Sequence, residues 1–214
     1  MPRILPYPHP ALRYESRPVL RIDDELRTTI RTMFDLMYGS RGIGLAANQV
    51  GLPFRFFILN LTADPEHKES EQVFINPEIV KRHSSIEEEE GCLSFPGLHA
   101  HVRRARKIRV KAFDLEAKEI DLDAEDLLSR AIQHETDHLS GRLFIDYLDG
   151  TARLSAAAAI KEFESAYRRA QGTGEFPRDD DARRLLETMP SPALSIAQPE
   201  PEPVATLSAT PQPA

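Results

Sequence analysis

Residues 133–138 read QHETDH, and the fold has to be built around the helix that this stretch predicts. In a helix, His134 and His138 are four residues apart and lie on one face, so both imidazoles can reach the same metal ion. Glu135 then lies beside the ion without binding it, where its carboxylate can move protons on a water held by the metal. The pattern therefore predicts a metal site of a hydrolytic kind.

A third ligand would define the class of this site. One metalloprotease family has a further histidine where this chain has Phe144, so that family is excluded. Glu162 and Glu164 have the spacing of a downstream glutamate ligand, but they fit the polar face of an amphipathic helix better. Cys92, the single cysteine, lies in the constrained segment EGCLSFPG and is the better candidate. A thiolate with two imidazoles leaves one tetrahedral position open for water, as a catalytic site requires.

The upstream segment GIGLAANQVG, at residues 42–51, is the third candidate part of the site. Gly42 and Gly44 allow a close approach of backbone or ligand, although a plain turn between a helix and a strand would use glycines as well. A phosphate-binding loop is excluded because no Gly-Lys-Ser/Thr follows. The amide of Gln49 could donate a hydrogen bond to an oxyanion.

Two alternatives are open on these residues alone. One is a metal-dependent endopeptidase that uses His134, His138 and a downstream glutamate. The other is a non-enzymatic module with a closed structural zinc site, in which His99 or His101 is the fourth ligand. Glu135 argues against a closed site, which has no use for a free carboxylate.

The segments GIGLAANQ, EGCLS and QHETDHLSG, in this order and spacing, resemble the three signature motifs of the peptide deformylases, and the similarity runs from about residue 3 to about residue 168. The resemblance implies that Cys92, His134 and His138 hold one divalent ion. It also implies that this ion is Fe²⁺, although two imidazoles and a thiolate suit Zn²⁺, Co²⁺ or Ni²⁺ as well. The implied activity is hydrolytic removal of the formyl group from the N-terminal formyl-methionine of newly synthesised polypeptides, with release of formate.

The same resemblance implies which residues act on the substrate. Glu135 would be the general acid and base, and Gln49 with the backbone amide of Leu93 would form the oxyanion site. The backbone around Ile43 and Gly44 would pair with the substrate peptide.

A pocket for the methionine side chain is expected on the metal-binding helix. Leu127, Arg130 and Ala131 lie seven, four and three residues before His134 and share its helix face. An apolar pocket of this kind would accept methionine and norleucine and reject aspartate, whose charge would be buried unpaired.

Three features depart from the family pattern. The acidic run at residues 87–90 stands where many relatives have an apolar residue lining the methionine pocket. His99 replaces an arginine of some members, and Asp126 stands where a glycine often precedes the metal-binding helix. These departures concern the substrate preference and not the reaction.

The composition excludes several classes of protein. A net charge of -7 and a pI near 5.5 argue against a dedicated nucleic-acid binder. The single cysteine allows no internal disulfide, no stretch reaches the ~20 apolar residues of a membrane span, and the N-terminus has no signal-peptide pattern. We therefore expect a cytoplasmic protein. The resemblance to the peptide deformylases implies a monomer whose partners are formyl-methionyl nascent polypeptides and, transiently, the ribosome.

We expect an α+β fold of mixed, mainly antiparallel β-sheets packed around a central metal-binding helix. Residues 1–171 would form the catalytic domain, and residues 172–214 a proline-rich disordered tail with a short helix near 179–189. Seven of the 17 prolines and no aromatic residue lie in residues 190–214, which cannot bury enough surface to offset the entropy of ordering. Helices are predicted at about 22–39, 125–139 and 152–170, and strands in 54–61 and 72–80 and near 99–103, 106–113 and 118–122.

Overall fold

The computed structural model describes residues 3–190 and has the predicted α+β architecture. Its helices are α1 (Asp24–Gly39), α2 (Asp126–His138), α3 (Gly150–Gly172) and α4 (Asp179–Thr188). Its strands are β1 (Gly44–Ala46), β2 (Phe56–Leu59), β3 (Gln72–His83), β4 (Ile86–Gly91), β5 (His99–Arg104), β6 (Lys107–Phe113) and β7 (Glu119–Glu125). Within residues 3–190, none of the helices combines the length and the apolar character needed to cross a membrane.

The first helix forms where the apolar spacing predicts it. The side chain of Asp23 caps its N-terminus by accepting a hydrogen bond from the Leu26 amide at 2.9 Å. One face of α1 is buried and packs against β1 and β2; its members are Leu26, Ile30, Met33, Phe34 and Met37. Burial of this stripe holds α1 on the sheet, as is usual for an amphipathic helix.

A five-stranded antiparallel sheet, in the order β1-β2-β3-β6-β7, carries the other face of the core. All four residues of β2 are buried, which explains its continuous apolar sequence. The helix α2 packs on this sheet through Ile132, with Leu139 directly after it, in a cluster that includes Phe57 and Val110. Because one face of α2 is committed to the sheet, the histidines lie on another face, towards the segment that contains Cys92.

Two residues with positive φ mark the ends of the segment that contains α2. Asp126, the first residue of the helix, has φ 49°, in the left-handed region that glycine occupies most readily and that aspartate tolerates. Gly141 has φ 66°, and a Cβ added to it would lie 2.5 Å from the carbonyl oxygen of Arg13. The chain therefore turns away from α2 at a position that only glycine fits.

The smaller sheet is the hairpin of β4 and β5, in which Glu87 pairs with Arg103 and Gly91 pairs with His99. Its strand β4 contains the acidic run, residues 87–90, and ends at Gly91, one residue before Cys92. The hairpin thus places Cys92 next to the face of α2 that carries His134 and His138. From the sequence, this proximity could be predicted only from the motifs that contain these residues.

The C-terminal helices pack on the N-terminal segment. Phe176 and Leu186 are 7% and 3% exposed, and they share a cluster with Leu5, Ala11 and Tyr167. Residues 173–189 therefore belong to the packed body of the protein, and we propose that the catalytic domain extends past the expected boundary at residue 171. The expected tail at residues 191–214 lies outside the described residues.

Candidate active site

Cys92, His134 and His138 come together as a candidate metal centre. Their ligand atoms, one thiol sulfur and two imidazole nitrogens, all lie within 4.8 Å of one another. The Cys92 Sγ and the His138 Nε2 are 3.3 Å apart. Two nitrogens and one sulfur are a donor set that binds Zn²⁺ or Fe²⁺, and three protein ligands leave room for water or substrate. The residues present therefore fit a catalytic divalent ion.

The second carboxylate oxygen of Glu135 is buried and has no hydrogen-bond partner among residues 3–190. Burial raises the pKa of this carboxyl group to about 7. A buried carboxyl group with one free oxygen and a pKa near neutrality is suited to accept and return a proton. Its place next to a metal ligand is the one that the HExxH spacing predicts.

Glycine is required on the strand that faces Glu135. A Cβ added to Gly44 would lie 2.5 Å from the Glu135 Oε1 and 2.7 Å from the Leu59 Cδ2. A Cβ added to Gly42 would lie 2.6 Å from the Cδ1 of Leu93. The two glycines thus let the backbone of residues 42–44 approach the carboxylate and the Cys92 segment closely, which a plain glycine turn would not need.

Gln49 is held so that its amide N–H groups face the metal centre. Its Oε1 accepts a hydrogen bond from the Ala46 amide at 2.8 Å, which fixes the side chain. Its Nε2 lies 3.5 Å from the Cys92 Sγ and 3.2 Å from the Ser94 Oγ. The donor is therefore oriented before any substrate arrives, as an oxyanion site requires.

The predicted substrate-binding residues line one cleft with the metal centre. The cleft has a volume of about 540 Å³, and its walls include Ile43, Gly44, Leu93, Leu127, Arg130 and Ala131. Leu127 is 42% exposed, whereas Ala131 is buried. The Arg130 guanidinium donates to the Glu89 carbonyl oxygen at 3.1 Å, so its charge is directed to the rim while its stem lines the wall.

Sequence reasoning missed a buried charge network behind His134. The Glu90 Oε2 lies 3.1 Å from the His134 Nδ1, and the same carboxylate forms two hydrogen bonds with Arg104, at 2.9 and 3.0 Å. Arg104 also pairs with Asp137. The four residues of the acidic run therefore differ in their surroundings, because the last of them, Glu90, is buried and holds the Nδ1 of the candidate metal ligand His134. In the sequence, a role for Glu90 at the metal centre could have been inferred from its position two residues before Cys92.

These contacts set the charge states around the centre. Burial alone would raise the pKa of Glu90, but the hydrogen bonds from His134 and Arg104 lower it to about 2. Burial would likewise lower the pKa of His134, but the Cys92 thiol and the Glu90 carboxylate raise it well above its ordinary value. Burial lowers the pKa of His138 well below its ordinary value, which favours the neutral imidazole that binds metals.

The extra ligands of the two alternative sites do not join the candidate ligand group. Among the described residues, neither His99 nor His101 belongs to the metal-ligand group, so a closed site with either is not formed. Glu162 pairs with Arg169 on α3, and Glu164 lies 3.5 Å from the Tyr7 hydroxyl. The geometry therefore favours the open centre with Cys92.

Comparison with known proteins gives consistent matches over most of the chain. A sequence model of the polypeptide deformylase family matches residues 1–153. The chain is 42% identical over 173 residues to the peptide deformylase of Rhodopirellula baltica, covering 81% of this chain and 86% of that protein. It is similar to the crystal structure of a plant peptide deformylase with a TM-score of 0.77 and 35% identity, covering 80% and 93% of the two chains. It is also similar to that of a peptide deformylase from Legionella pneumophila with a TM-score of 0.71 and 40% identity, covering 79% and 98%.

Proposed function

This chain belongs to the peptide deformylase family, and from that premise we propose how its residues carry out the reaction. It is a metal-dependent hydrolase that removes the formyl group from the N-terminal formyl-methionine of newly synthesised polypeptides and releases formate. The observation that carries the assignment of residues is the placement of three ligand atoms within 4.8 Å of one another beside the unpartnered carboxylate of Glu135.

We assign the divalent ion to Cys92, His134 and His138, with Fe²⁺ as the proposed ion and Zn²⁺, Ni²⁺ or Co²⁺ as alternatives that the same ligands can bind. When bound, such an ion lowers the pKa of water toward ~7 and polarises a carbonyl oxygen. Glu90 supports the centre by holding the Nδ1 of His134, so that the Nε2 faces the other ligands.

Glu135 is the proton carrier. It takes a proton from the attacking water, the resulting hydroxide adds to the formyl carbon, and the bond between that carbon and the methionine nitrogen breaks. Glu135 then gives the proton to the leaving amine. A pKa of about 7 serves both steps, because the group is able to hold and to lose a proton near neutral pH.

Gln49 and the Leu93 backbone amide stabilise the negative charge that develops on the formyl oxygen. The support for Gln49 is its fixed amide, whose oxygen is held by Ala46. The support for Leu93 is its place in the cleft wall, directly after the ligand Cys92.

The substrate peptide is bound as an extended segment along the backbone of Ile43 and Gly44. Its first side chain enters the part of the cleft lined by Leu127, Ala131 and the stem of Arg130. Because this wall is mostly apolar, formyl-methionine and formyl-norleucine peptides should react at similar rates, and formyl-aspartate peptides should lose most of their rate. Equal rates with formyl-methionine and formyl-aspartate would contradict the apolar pocket.

The assignment is tested by incubating anaerobically purified protein with formyl-Met-Ala-Ser and measuring formate and bound metal. Cys92→Ser should lose most of its metal and activity, because a neutral hydroxyl is a far weaker ligand than a thiolate. Glu162→Ala, the matched control on α3, should keep both. Metal loss in the Glu162 variant alone would instead support the endopeptidase alternative.

We also propose that the protein works as a cytoplasmic monomer that meets the ribosome transiently. The support is the substrate, since nascent polypeptides present their formyl-methionine as they leave the ribosome. Sedimentation of the purified protein alone and with ribosomes would test both parts: a stable dimer would contradict the monomer, and the absence of any co-sedimentation at low salt would contradict the contact.

A further inference from the structure

The metal ligand His138 is contacted by a residue to which the reaction assigns no role. Asn48 is fully buried, and its Nδ2 donates to the His138 carbonyl oxygen at 2.5 Å. The same carbonyl accepts a hydrogen bond from the Gly141 amide at 2.9 Å. His138 is the last residue of α2, where helical carbonyl groups lack partners within the helix. The two bonds together fix its peptide plane and hence the direction of its side chain.

Two further polar atoms of the same two residues are buried and unpartnered in the described part of the chain. They are the Oδ1 of Asn48, an acceptor, and the Nδ1 of His138. When the His138 Nε2 binds a metal ion, the neutral ring carries its hydrogen on Nδ1 and needs an acceptor for it. A buried polar atom without a partner is costly, so two complementary ones on residues already in contact are unusual.

The position of Asn48 in the chain adds a third observation. Asn48 and Gln49 lie on the short 3-10 helix Ala47–Val50, and the Gln49 Nε2 lies 3.5 Å from the Cys92 Sγ. This short helix thus contacts the proposed thiol ligand Cys92 through Gln49, and the proposed imidazole ligand His138 through Asn48. The oxyanion residue and the metal ligands are therefore parts of one rigid unit.

We propose that Asn48 is a positioning residue for His138. Its amide N–H holds the end of α2 through the His138 carbonyl, and its Oδ1 accepts from the Nδ1–H of the metal-bound ring through one bridging water, since the two atoms make no direct hydrogen bond. This role rests on the proposed metal site and deepens it, because it explains how the ring is kept in the tautomer that binds the ion.

Metal release from the zinc-loaded full chain tests the proposal. Transfer of Zn²⁺ to a chelator should be about 10- to 100-fold faster for Asn48→Ala than for the wild-type protein. The matched control is Asn76→Ala: Asn76 makes two hydrogen bonds to the Val19 backbone, at 2.8 and 2.7 Å, and none to the ligands. The control should lower the melting temperature and leave the zinc release rate within about twofold.

A second measurement separates positioning from general loss of stability. In the zinc-loaded protein, the His138 Nδ1–H should give an NMR signal protected from exchange with water, and Asn48→Ala should lose it while Asn76→Ala keeps it. If Asn48→Ala does not fold, the isosteric Asn48→Asp replaces the N–H donor by a buried carboxylate oxygen that repels the His138 carbonyl, and this variant should still release zinc about fivefold faster or more. A wild-type release rate in the folded Asn48 variants, or equal acceleration in the Asn76 control, would overturn the proposal. Failure of the wild-type chain to bind zinc would refute the metal site itself.

Discussion

At the scale of single residues, the chemistry depends on two carboxylates with opposite surroundings. Burial raises the pKa of Glu135 to about 7, whereas hydrogen bonds from His134 and Arg104 outweigh burial and lower the pKa of Glu90 to about 2. Two carboxyl groups whose pKa values are separated in this way take different roles. Glu135 can exchange a proton near neutral pH, and Glu90 remains a charged support for a metal ligand.

Glu135→Gln should keep the metal and lose turnover. The amide has the shape of the carboxyl group but cannot carry the proton, so the rate with formyl-Met-Ala-Ser should fall by about 10²- to 10⁴-fold. Formate release and metal content by elemental analysis measure the two effects. Glu162→Gln, an exposed glutamate on α3, is the matched control and should change neither. Loss of the metal in the Glu135 variant would assign this residue to the ligands instead.

At the scale of elements, the strand β1 limits the space above α2. Gly44 is the first residue of β1, which pairs with β2. The Gly44 Cα lies so close to the carboxylate of Glu135 that no side chain fits between them. The close approach places the free edge of β1 next to the Glu135 carboxylate, where we propose that the substrate peptide binds. A strand with any other residue at this position would push Glu135 or Leu59 aside.

Gly44→Ala should therefore reduce turnover by about 10²-fold while the metal stays bound, because a displacement of roughly 1 Å at a catalytic group has an effect of that size. Gly39→Ala is the matched control, since a Cβ at Gly39, the last residue of α1, has no atom within 4 Å. Steady-state kinetics of both variants would measure the difference. Normal turnover in the Gly44 variant would show that the carboxylate can move without loss of function.

At the scale of the whole molecule, the N-terminal segment joins the three motif regions and is held in turn by the C-terminal helices. The Leu5 amide donates to the Gln49 carbonyl at 2.8 Å, the Tyr7 amide to that of Ser94 at 3.0 Å, and the Ser16 amide to that of Leu139 at 2.9 Å. Near the other end of the chain, the Arg17 guanidinium donates to the Met189 carbonyl at 2.7 Å. Residues 173–189 therefore pack against and stabilise the N-terminal segment, which is hydrogen-bonded to each part of the candidate active site.

Truncation after residue 190 should leave the melting temperature and turnover close to those of the full chain, whereas truncation after residue 172 should destabilise the protein. The longer truncation removes buried Phe176 and Leu186, each worth about 1.5 to 3 kcal/mol, and the Met189 acceptor of Arg17. Thermal unfolding of the two truncated proteins would measure the effect. Equal stability of both would show that the catalytic domain ends at residue 171 after all.

The same packing makes stability depend on pH through His9. His9 lies between Tyr167 and Phe176, and burial lowers its pKa from 6.5 to about 4. Because the folded state binds the proton less well than the unfolded state, the contribution of His9 is complete above pH 6.5 and is lost as the pH falls to about 4. Over this pH range, the contribution of His9 to the free energy of unfolding changes by at most about 3 kcal/mol.

Urea unfolding at pH 7.0 and pH 4.5 measures this contribution in the wild-type protein and in His9→Asn. The asparagine does not titrate and can still accept the hydrogen bond that the His9 Nδ1 accepts from the Ala11 amide at 3.1 Å. The loss of unfolding free energy between the two pH values should be smaller in the variant. An identical loss would mean that other groups account for the acid sensitivity.

Features that depend on residues close together in the sequence could be predicted, and features that depend on distant residues could not. Helical periodicity alone places His134 and His138 on one face, with Glu135 beside them, because neighbours on a helix are set by 3.6 residues per turn. The apolar spacing of α1, its Asp23 cap and the apolar run of β2 are equally local, and the elements predicted from them agree with the structure.

Contacts between distant segments were decided by the tertiary structure. Arg104 is buried between Glu90 and Asp137 because the hairpin packs against α2, and no local pattern predicts the burial of this charge. The contact of Asn48 with His138 and the docking of α4 also join segments far apart in sequence. Such pairings depend on strand register and on which faces pack together, and neither leaves a periodic signal in the residues themselves. The sequence by itself placed His134, Glu135 and His138 together on one helix and, through its resemblance to a family, indicated the reaction, whereas packing determined how each of these side chains is held.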